Sequence, residues 1–333
     1  MALDFRLVFA YTNERRKGES KSAMSLPRTL YCGPSGWSYP HWNGIVYPRL
    51  KPRGFHALED LSTYFDAVEI NTSFYQSIQP ELASVWLKKV AHNPKFLFTV
   101  KLGRRFTHER SLKPQEVAHF KEGLWPLQRA RKLGCVLMQF PWSFRYTEEN
   151  RAFVIALRRA FHEFQLVAEM RHASWLHEEA LGTLIDYRIG FANIDQAPYT
   201  KGMPPASLLT SRIGYVRLHG RNPQHWEREF GRPARATAAH DYLYSAKELQ
   251  EWKQRVEQIQ QHAATTFVFA NNDAGGKSVV NALELAQILG DDRRRAPAQL
   301  IEQFPEELYD FRAERPIQDA LFAHYQTDHR AVA

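Results

Sequence analysis

The sequence predicts an α/β chain folded as a TIM-type (β/α)8 barrel with terminal extensions, and three observations lead there. Eight short apolar segments with strand-like alternation recur between residues 29 and 290. Helical stretches separate most of them, and the strands end in polar or charged residues on one alternate face. Eight β/α units over such a length fit a closed barrel better than an open doubly wound sheet.

The strands are expected at about 30–36, 67–71, 96–102, 135–140, 165–171, 189–195, 214–220 and 265–271. Successive strand residues point to opposite faces. In Ala67-Val-Glu-Ile-Asn71, Val68 and Ile70 therefore share one face while Glu69 and Asn71 share the other; Ala168/Met170 against Glu169/Arg171 and Val216/Leu218 against Arg217/His219 repeat the pattern. The apolar face can pack on helices. The inward face then carries Glu69, Asn71, Lys101, Gln139, Glu169, Arg171, Asp195, Arg217, His219 and Asn271, more ionisable groups than an ordinary core tolerates.

Helical segments are expected at Pro80–His92, Pro114–Leu133, Thr147–Phe164, His177–Tyr187 and Ser245–His262. Two connections depart from an ideal repeat. Residues 196–212 contain Gly202-Met-Pro-Pro205 and are too short and broken for a full helix, whereas 221–244 is long and rich in Arg, His and aromatics. Long loops in compact domains are usually functional or disordered.

Residues 1–28 are polar and aperiodic, which reads as a flexible extension with Met24 as an alternative start. Residues 29–290 form the barrel domain, and 291–333 read as a helical C-terminal extension carried outside it, with Pro297, Pro305 and Pro316 as breakers. The formal charge of +8 belongs to the middle: 1–28 carry six Lys/Arg against three Asp/Glu, 291–333 six against nine, and the barrel the remaining 32 against 24. A basic body favours anionic partners such as nucleic acid or phosphorylated metabolites.

No stretch approaches the roughly 18 uninterrupted apolar residues of a membrane span, and Asn13–Ser22 is not a secretory cleavage region, so a cytoplasmic location without membrane partners is the default. Cys32 should face outward and Cys135 inward, a geometry that disfavours a bridge.

Each inward polar residue lies near the C-terminal end of its strand, the end that forms the active face of such barrels. Lys101, Arg171 and Arg217 face Glu69, Glu169 and Asp195. One explanation is a self-neutralising network that closes the barrel mouth, since buried charges survive only when paired. The other is a pocket for an anionic or hydroxyl-rich ligand, with a Glu or His transferring protons. His219 and the three carboxylates are chemically capable metal ligands, but a divalent ion would compete with three cations for them. No cofactor or metal site is assigned.

Aromatic side chains crowd the same loops, including Trp37, Tyr75 and Trp175. Flat rings beside a polar floor suit stacking on a sugar or base; taken singly, loop packing explains each of them as well. His108 follows strand three and is in reach of the pocket. Gly275-Gly276 lacks the Walker pattern, and there is no GxSxG or HExxH.

Ser35-Gly-Trp-Ser-Tyr39, Val68-Glu-Ile-Asn-Thr-Ser-Phe-Tyr75, Lys101 with Thr107-His108, Met138-Gln-Phe-Pro141, Glu169-Met-Arg-His-Ala-Ser-Trp175, Tyr215-Val-Arg-Leu-His-Gly-Arg221 and Phe269-Ala-Asn-Asn272 together resemble the YecE-like family, domain of unknown function 72, over about residues 30–290. The resemblance implies a TIM-type barrel and no established activity. Its outline is similar to the apurinic-endonuclease and sugar-isomerase barrels, an analogy of fold only. The ligand set of a multinuclear zinc site is missing from the inward positions.

The functional expectation is an enzyme, with hydrolases among the classes it admits, acting on a phosphate-bearing, sugar-containing substrate. Nucleic acid or a nucleotide ranks ahead of a free sugar phosphate. Lys101, Arg171 and Arg217 hold the anion, Glu169 or Glu69 serves as general acid or base, and His219 shuttles a proton. Asn71, Gln139 and Asn271 orient hydroxyls, with Asp195, Trp37, Tyr75, Trp175 and His108 completing the substrate contacts. The alternative is a non-catalytic nucleic-acid-binding barrel gripping the backbone through Arg221, Arg228, Arg232 and Arg235.

Overall fold

The computed structural model describes residues 29–223 and 240–314. Eight parallel strands form the sheet: β1 (Thr29–Pro34), β2 (Ala67–Ile70), β3 (Leu97–Lys101), β4 (Leu133–Gln139), β5 (Leu166–Glu169), β6 (Gly190–Asp195), β7 (Ile213–Leu218) and β8 (Thr265–Ala270). Their order is β1-β8-β7-β6-β5-β4-β3-β2. The two ends of that order meet through a parallel bridge between Ser35 and Glu69, where the Gly36 amide donates to the Glu69 carbonyl at 2.8 Å. Gly33 permits this closure, because a Cβ there would sit 2.0 Å from the Ala67 carbonyl oxygen.

Helices α1 (Ala57–Leu61), α2 (Pro80–Lys89), α3 (Arg104–Thr107), α4 (Pro114–Arg129), α5 (Glu148–Ala160), α6 (Glu178–Asp186), α7 (Ala246–Gln260) and α8 (Lys277–Ile288) follow seven of the strands. Local signals fix several starts. Proline occupies the first turn of α2 and α4, where no amide donor is needed, Thr147 caps α5, and Ser245 with Glu248 forms a capping box on α7. As the Gly-Pro content implied, 196–212 is irregular; it is tied to the end of β5 by the Met203 amide on the Arg171 carbonyl, 2.9 Å.

The alternation assigns the faces. Val68, Ile70, Val136, Met138, Ala168 and Met170 pack outward into the main core, and Val216, Leu218 and Val268 pack with Leu249, Trp252 and Val256 of α7. Ala67, Cys135, Leu137, Val167, Ala192, Tyr215, Phe267 and Phe269 fill the barrel interior. Cys32 accordingly lies on the helix side and Cys135 inside, both free thiols.

Strand β6 corrects one placement. Ala192 pairs with Tyr215, Ile194 with Arg217 and Asp195 with Leu218, so Asp195 lies on the helix-facing side and not in the barrel. The C-terminal reading also changes. The described part of the expected helical extension contains β9 (Arg295–Pro297), α9 (Ala298–Gln303) and β10 (Arg312–Glu314), and β9 pairs with β10. Pro305 ends the helix after six residues because the residue before a proline is pushed out of the helical region. Ala296, Leu300, Leu308 and Phe311 share the main core with the barrel. Among the described residues no helix is long and apolar enough to cross a membrane.

Candidate active site

Six strand ends build a buried polar network. Arg217 enters from β7, its Nη1 donating to Glu169 Oε2 at 2.7 Å and its Nη2 to Glu69 Oε1 at 2.6 Å. Gln139 and Asn271 accept from the same guanidinium at 3.2 and 3.3 Å. Arg171 places Nε 2.6 Å from Glu169 Oε1 and donates through Nη1 to Gln196 Oε1 at 3.0 Å. Ser35 Oγ donates to Glu69 and accepts from Asn71 Nδ2 at 2.9 Å, while the Tyr215 hydroxyl donates to Glu69 Oε2 at 2.6 Å. Glu69, Glu169 and His219 are fully buried.

Two carboxylates and two guanidiniums balance one another, which is how buried charge is tolerated. Burial alone would raise the Glu169 carboxyl, but Arg171, Arg217 and His219 overcome it and hold it well below the usual carboxylate range. Glu169 is thus a fixed anion at neutral pH. His219 is pushed well below its ordinary value, first by burial and then by Arg171. The Asn271 oxygen accepts from Arg217, and its amide nitrogen meets His219 Nδ1 at 3.0 Å. His219 Nε2 lies 3.0 Å from Arg171 Nη2, which can only donate, and 3.3 Å from Glu169 Oε1.

Above this floor stands Lys101. Its Nζ lies 4.0 Å from the centroid of Phe74, and among the described residues it makes no hydrogen bond or ion pair. Burial and the Arg217 charge lower its amine to about 7, against the pull of Glu169 and Glu69. His108 packs edge-on against the same Phe74 ring at 5.1 Å, with Nδ1 2.9 Å from Thr107 Oγ1. Burial, Lys101, Arg104 and Arg171 lower its imidazole to about 4. Tyr75, 80% exposed, meets Phe74 edge-on at 5.2 Å. The Asn71 oxygen is buried without a donor.

Of the residues expected from the sequence, Glu69, Asn71, Gln139, Glu169, Arg171, Arg217, His219 and Asn271 converge, with Lys101, His108 and Tyr75 around Phe74 at the mouth. Three others do not join them. Asp195 receives Trp252 Nε1 and is clamped by Arg221, whose Nη2 lies 2.8 Å from Oδ2. Trp175 is fully buried, stacked on Phe144 at 5.6 Å, with Nε1 on the Phe144 carbonyl. Trp37 is buried edge-on against Trp86. Loop packing therefore explains both tryptophans. Sequence reasoning missed Tyr215 and Gln196 as members of the network. The inward phase of Tyr215, two residues before Arg217, could have found it.

Arg221 is committed to Asp195 and Glu248, and Arg228, Arg232 and Arg235 lie outside the described residues. Among the described residues no three His, Cys, Asp or Glu side chains gather so as to hold a metal ion.

Known proteins share this architecture. The UPF0759 protein YunF of Bacillus subtilis is 29% identical over 273 residues, covering 78% of this chain and 94% of that protein. The UPF0759 protein YecE of Escherichia coli K12 is 24% identical over 274 residues, covering 80% and 93%. The crystal structure of a DUF72 family protein from Thermotoga maritima MSB8 superposes with a TM-score of 0.69 at 29% identity, over 79% of this chain and 100% of that one. One from Enterococcus faecalis V583, at 22% identity and a TM-score of 0.67, shares the fold. The model of the family described as "Protein of unknown function DUF72" matches residues 31–306, a span that takes in all eight barrel strands but for the first residues of β1, and the chain belongs to that family.

Proposed function

We propose that the barrel mouth is the active site of an enzyme that takes a phosphate-bearing, sugar-containing substrate and works on it by general acid–base chemistry. One observation carries this reading. Lys101 and His108 both contact the Phe74 ring, Lys101 lies in the field of Arg217 and Arg171, and the two carboxylates below are already spent on the guanidiniums. An ammonium disfavoured by burial and by neighbouring cations is stabilised by an incoming anion.

The acid–base role moves from Glu169 to Lys101. A group near neutrality exists in both protonation states at working pH, the condition for efficient proton transfer, whereas an ionised Glu169 cannot donate. Glu69, Glu169 and His219 instead hold Arg171 and Arg217 in place beneath the substrate. Tyr75 offers its exposed ring for stacking.

The test combines turnover with binding. Purified protein is screened against nucleotides, sugar phosphates and phosphodiesters alongside Lys101→Met, and phosphate binding is followed by calorimetry in two buffers of different ionisation enthalpy. Turnover lost in the variant and proton uptake on phosphate binding at pH 7 are expected. Binding of nucleic acid alone, unaffected by Lys101→Met and falling steeply with salt, would replace the enzyme reading with that of a binding barrel.

A further inference from the structure

We propose that Lys101 is a Schiff-base lysine, its Nζ adding to the carbonyl carbon of a phosphate-bearing aldehyde or ketone; this rests on the reading of the mouth as an anion site and replaces the amine's proton-transfer role there with a covalent one. The geometry distinguishes this amine from other lysines. Lys89, Lys121, Lys253 and Lys277 pair with carboxylates, Lys132 donates to the Asn93 and Pro94 carbonyls, and the other described lysines, Lys51 over the Tyr47 and Phe55 rings among them, are exposed. Lys101 points from the end of β3 into the mouth, partly open to solvent, with its nitrogen on the Phe74 ring and no acceptor among the described residues.

An amine is activated as a nucleophile by desolvation and by neighbouring cations, both of which favour the uncharged form. Burial contributes most, and Arg217 from β7 and Arg171 after β5 supply the cations, while His108 at the end of α3 packs on the same Phe74 ring. Glu169 and Glu69 act in the opposite sense.

The step balances without a further reactant. The ammonium first gives up a proton, which His108, neutral beside the same ring, is placed to relay. The nitrogen lone pair then forms the N–C bond while the carbonyl π pair moves to oxygen. The nitrogen passes a proton to that oxygen, giving a neutral carbinolamine. The relayed proton lets its hydroxyl leave as water as the N=C bond forms, so ammonium and carbonyl compound become iminium and water. The iminium withdraws electrons from the adjacent carbon, which makes an α proton or α C–C bond labile. Arg171 and Arg217 lie where a substrate phosphate would be drawn in.

The full-length protein is incubated with D-glyceraldehyde 3-phosphate or with D-glyceraldehyde, reduced with cyanoborohydride and mapped by peptide mass spectrometry. One adduct on Lys101 is expected, at least tenfold enriched over any other lysine. It should rise with pH to half-maximum near 7, form faster with the phosphate-bearing aldehyde, and be absent in Lys101→Arg, which keeps the charge but forms no imine. Labelling spread over exposed lysines, or unchanged in Lys101→Arg, would overturn the proposal. If phosphate still binds with proton uptake while Lys101 is not trapped, the Schiff base fails and the anion site stands. Equal trapping of both aldehydes would support the Schiff base and count against the phosphate reading.

Discussion

Arg217 on β7 and Glu69 on β2 meet at 2.6 Å inside the barrel although 148 residues separate them. The other nitrogen of the same guanidinium holds Glu169 at 2.7 Å, so a single planar fork joins two carboxylates from strands on different sides of the ring. A lysine could not hold both in one geometry. The network is therefore a piece of architecture as well as a floor for chemistry.

Removing its centre should be costly. Arg217→Met leaves Glu69 buried without its cation, while Glu169 keeps Arg171, and a loss of roughly 3–5 kcal/mol is expected, read as a lower midpoint in chemical denaturation. Adding Glu69→Gln to the same chain removes the unpaired charge and should recover most of it. If Arg217→Met alone denatured at the parent midpoint, the network would be structurally idle.

Lys101 makes stability depend on pH in a definite direction. Its ordinary value is 10.5 and its value in the folded protein about 7, so between these pH values the unfolded chain binds the proton that the folded one does not. Stability attributable to this residue thus rises with pH from about 7 towards 10.5, and below 7 the full penalty of a buried ammonium is present. Lys101→Met should stabilise the protein at pH 6 by about 1–3 kcal/mol, after allowing for partial solvation, with the gain fading by pH 10. A pH-independent difference would mean that the amine is not depressed.

Most of the site was legible because strands alternate with period two, so one polar residue near each strand end sets the phase of its neighbours. Glu69, Glu169 and Arg217 follow from that alone. Strand β6 defeated the argument because its polar residues Asn193 and Asp195 alternate with Ala192 and Ile194 as in the other strands but lie on the helix-facing side, where Asn193 bonds to the Leu208 backbone and Asp195 to Trp252. The charged end of the segment looked like a site residue, yet its partner is Trp252, 57 positions away on α7. Gln196, one step further, is the residue that reaches Arg171. The tryptophans misled for another reason: a sequence shows that rings crowd a loop, but only packing shows whether they face a ligand or, like Trp175 and Phe144, each other.

The Asp195 clamp should matter to stability and not to the mouth. Trp252→Phe removes a hydrogen bond to a buried carboxylate, which corresponds to roughly 1.5–3 kcal/mol for a charged partner. Thermal unfolding should shift down accordingly while phosphate affinity at the mouth stays within twofold. A variant of parent stability with weakened phosphate binding would return Asp195 to the site.

The seam between β1 and β2 gives a separate test of closure. Gly33 lies where any side chain would collide with backbone, its Cβ 2.0 Å from the Ala67 oxygen and 3.0 Å from the Ala67 carbonyl carbon. A backbone atom cannot step aside as the tip of a flexible side chain can, so Gly33→Ala must push β1 from β2 and loosen the Ser35–Glu69 bridge beside it. The expected loss is at least about 1–3 kcal/mol, the usual cost of overpacking, together with weaker near-UV dichroism. Gly182→Ala is the control. It lies inside α6 with nothing within 4 Å, and replacing a mid-helix glycine by alanine should stabilise by about 0.5–1 kcal/mol. Equal stability of the two variants would mean that β1 and β2 do not touch at Gly33 and that the barrel is open along this seam.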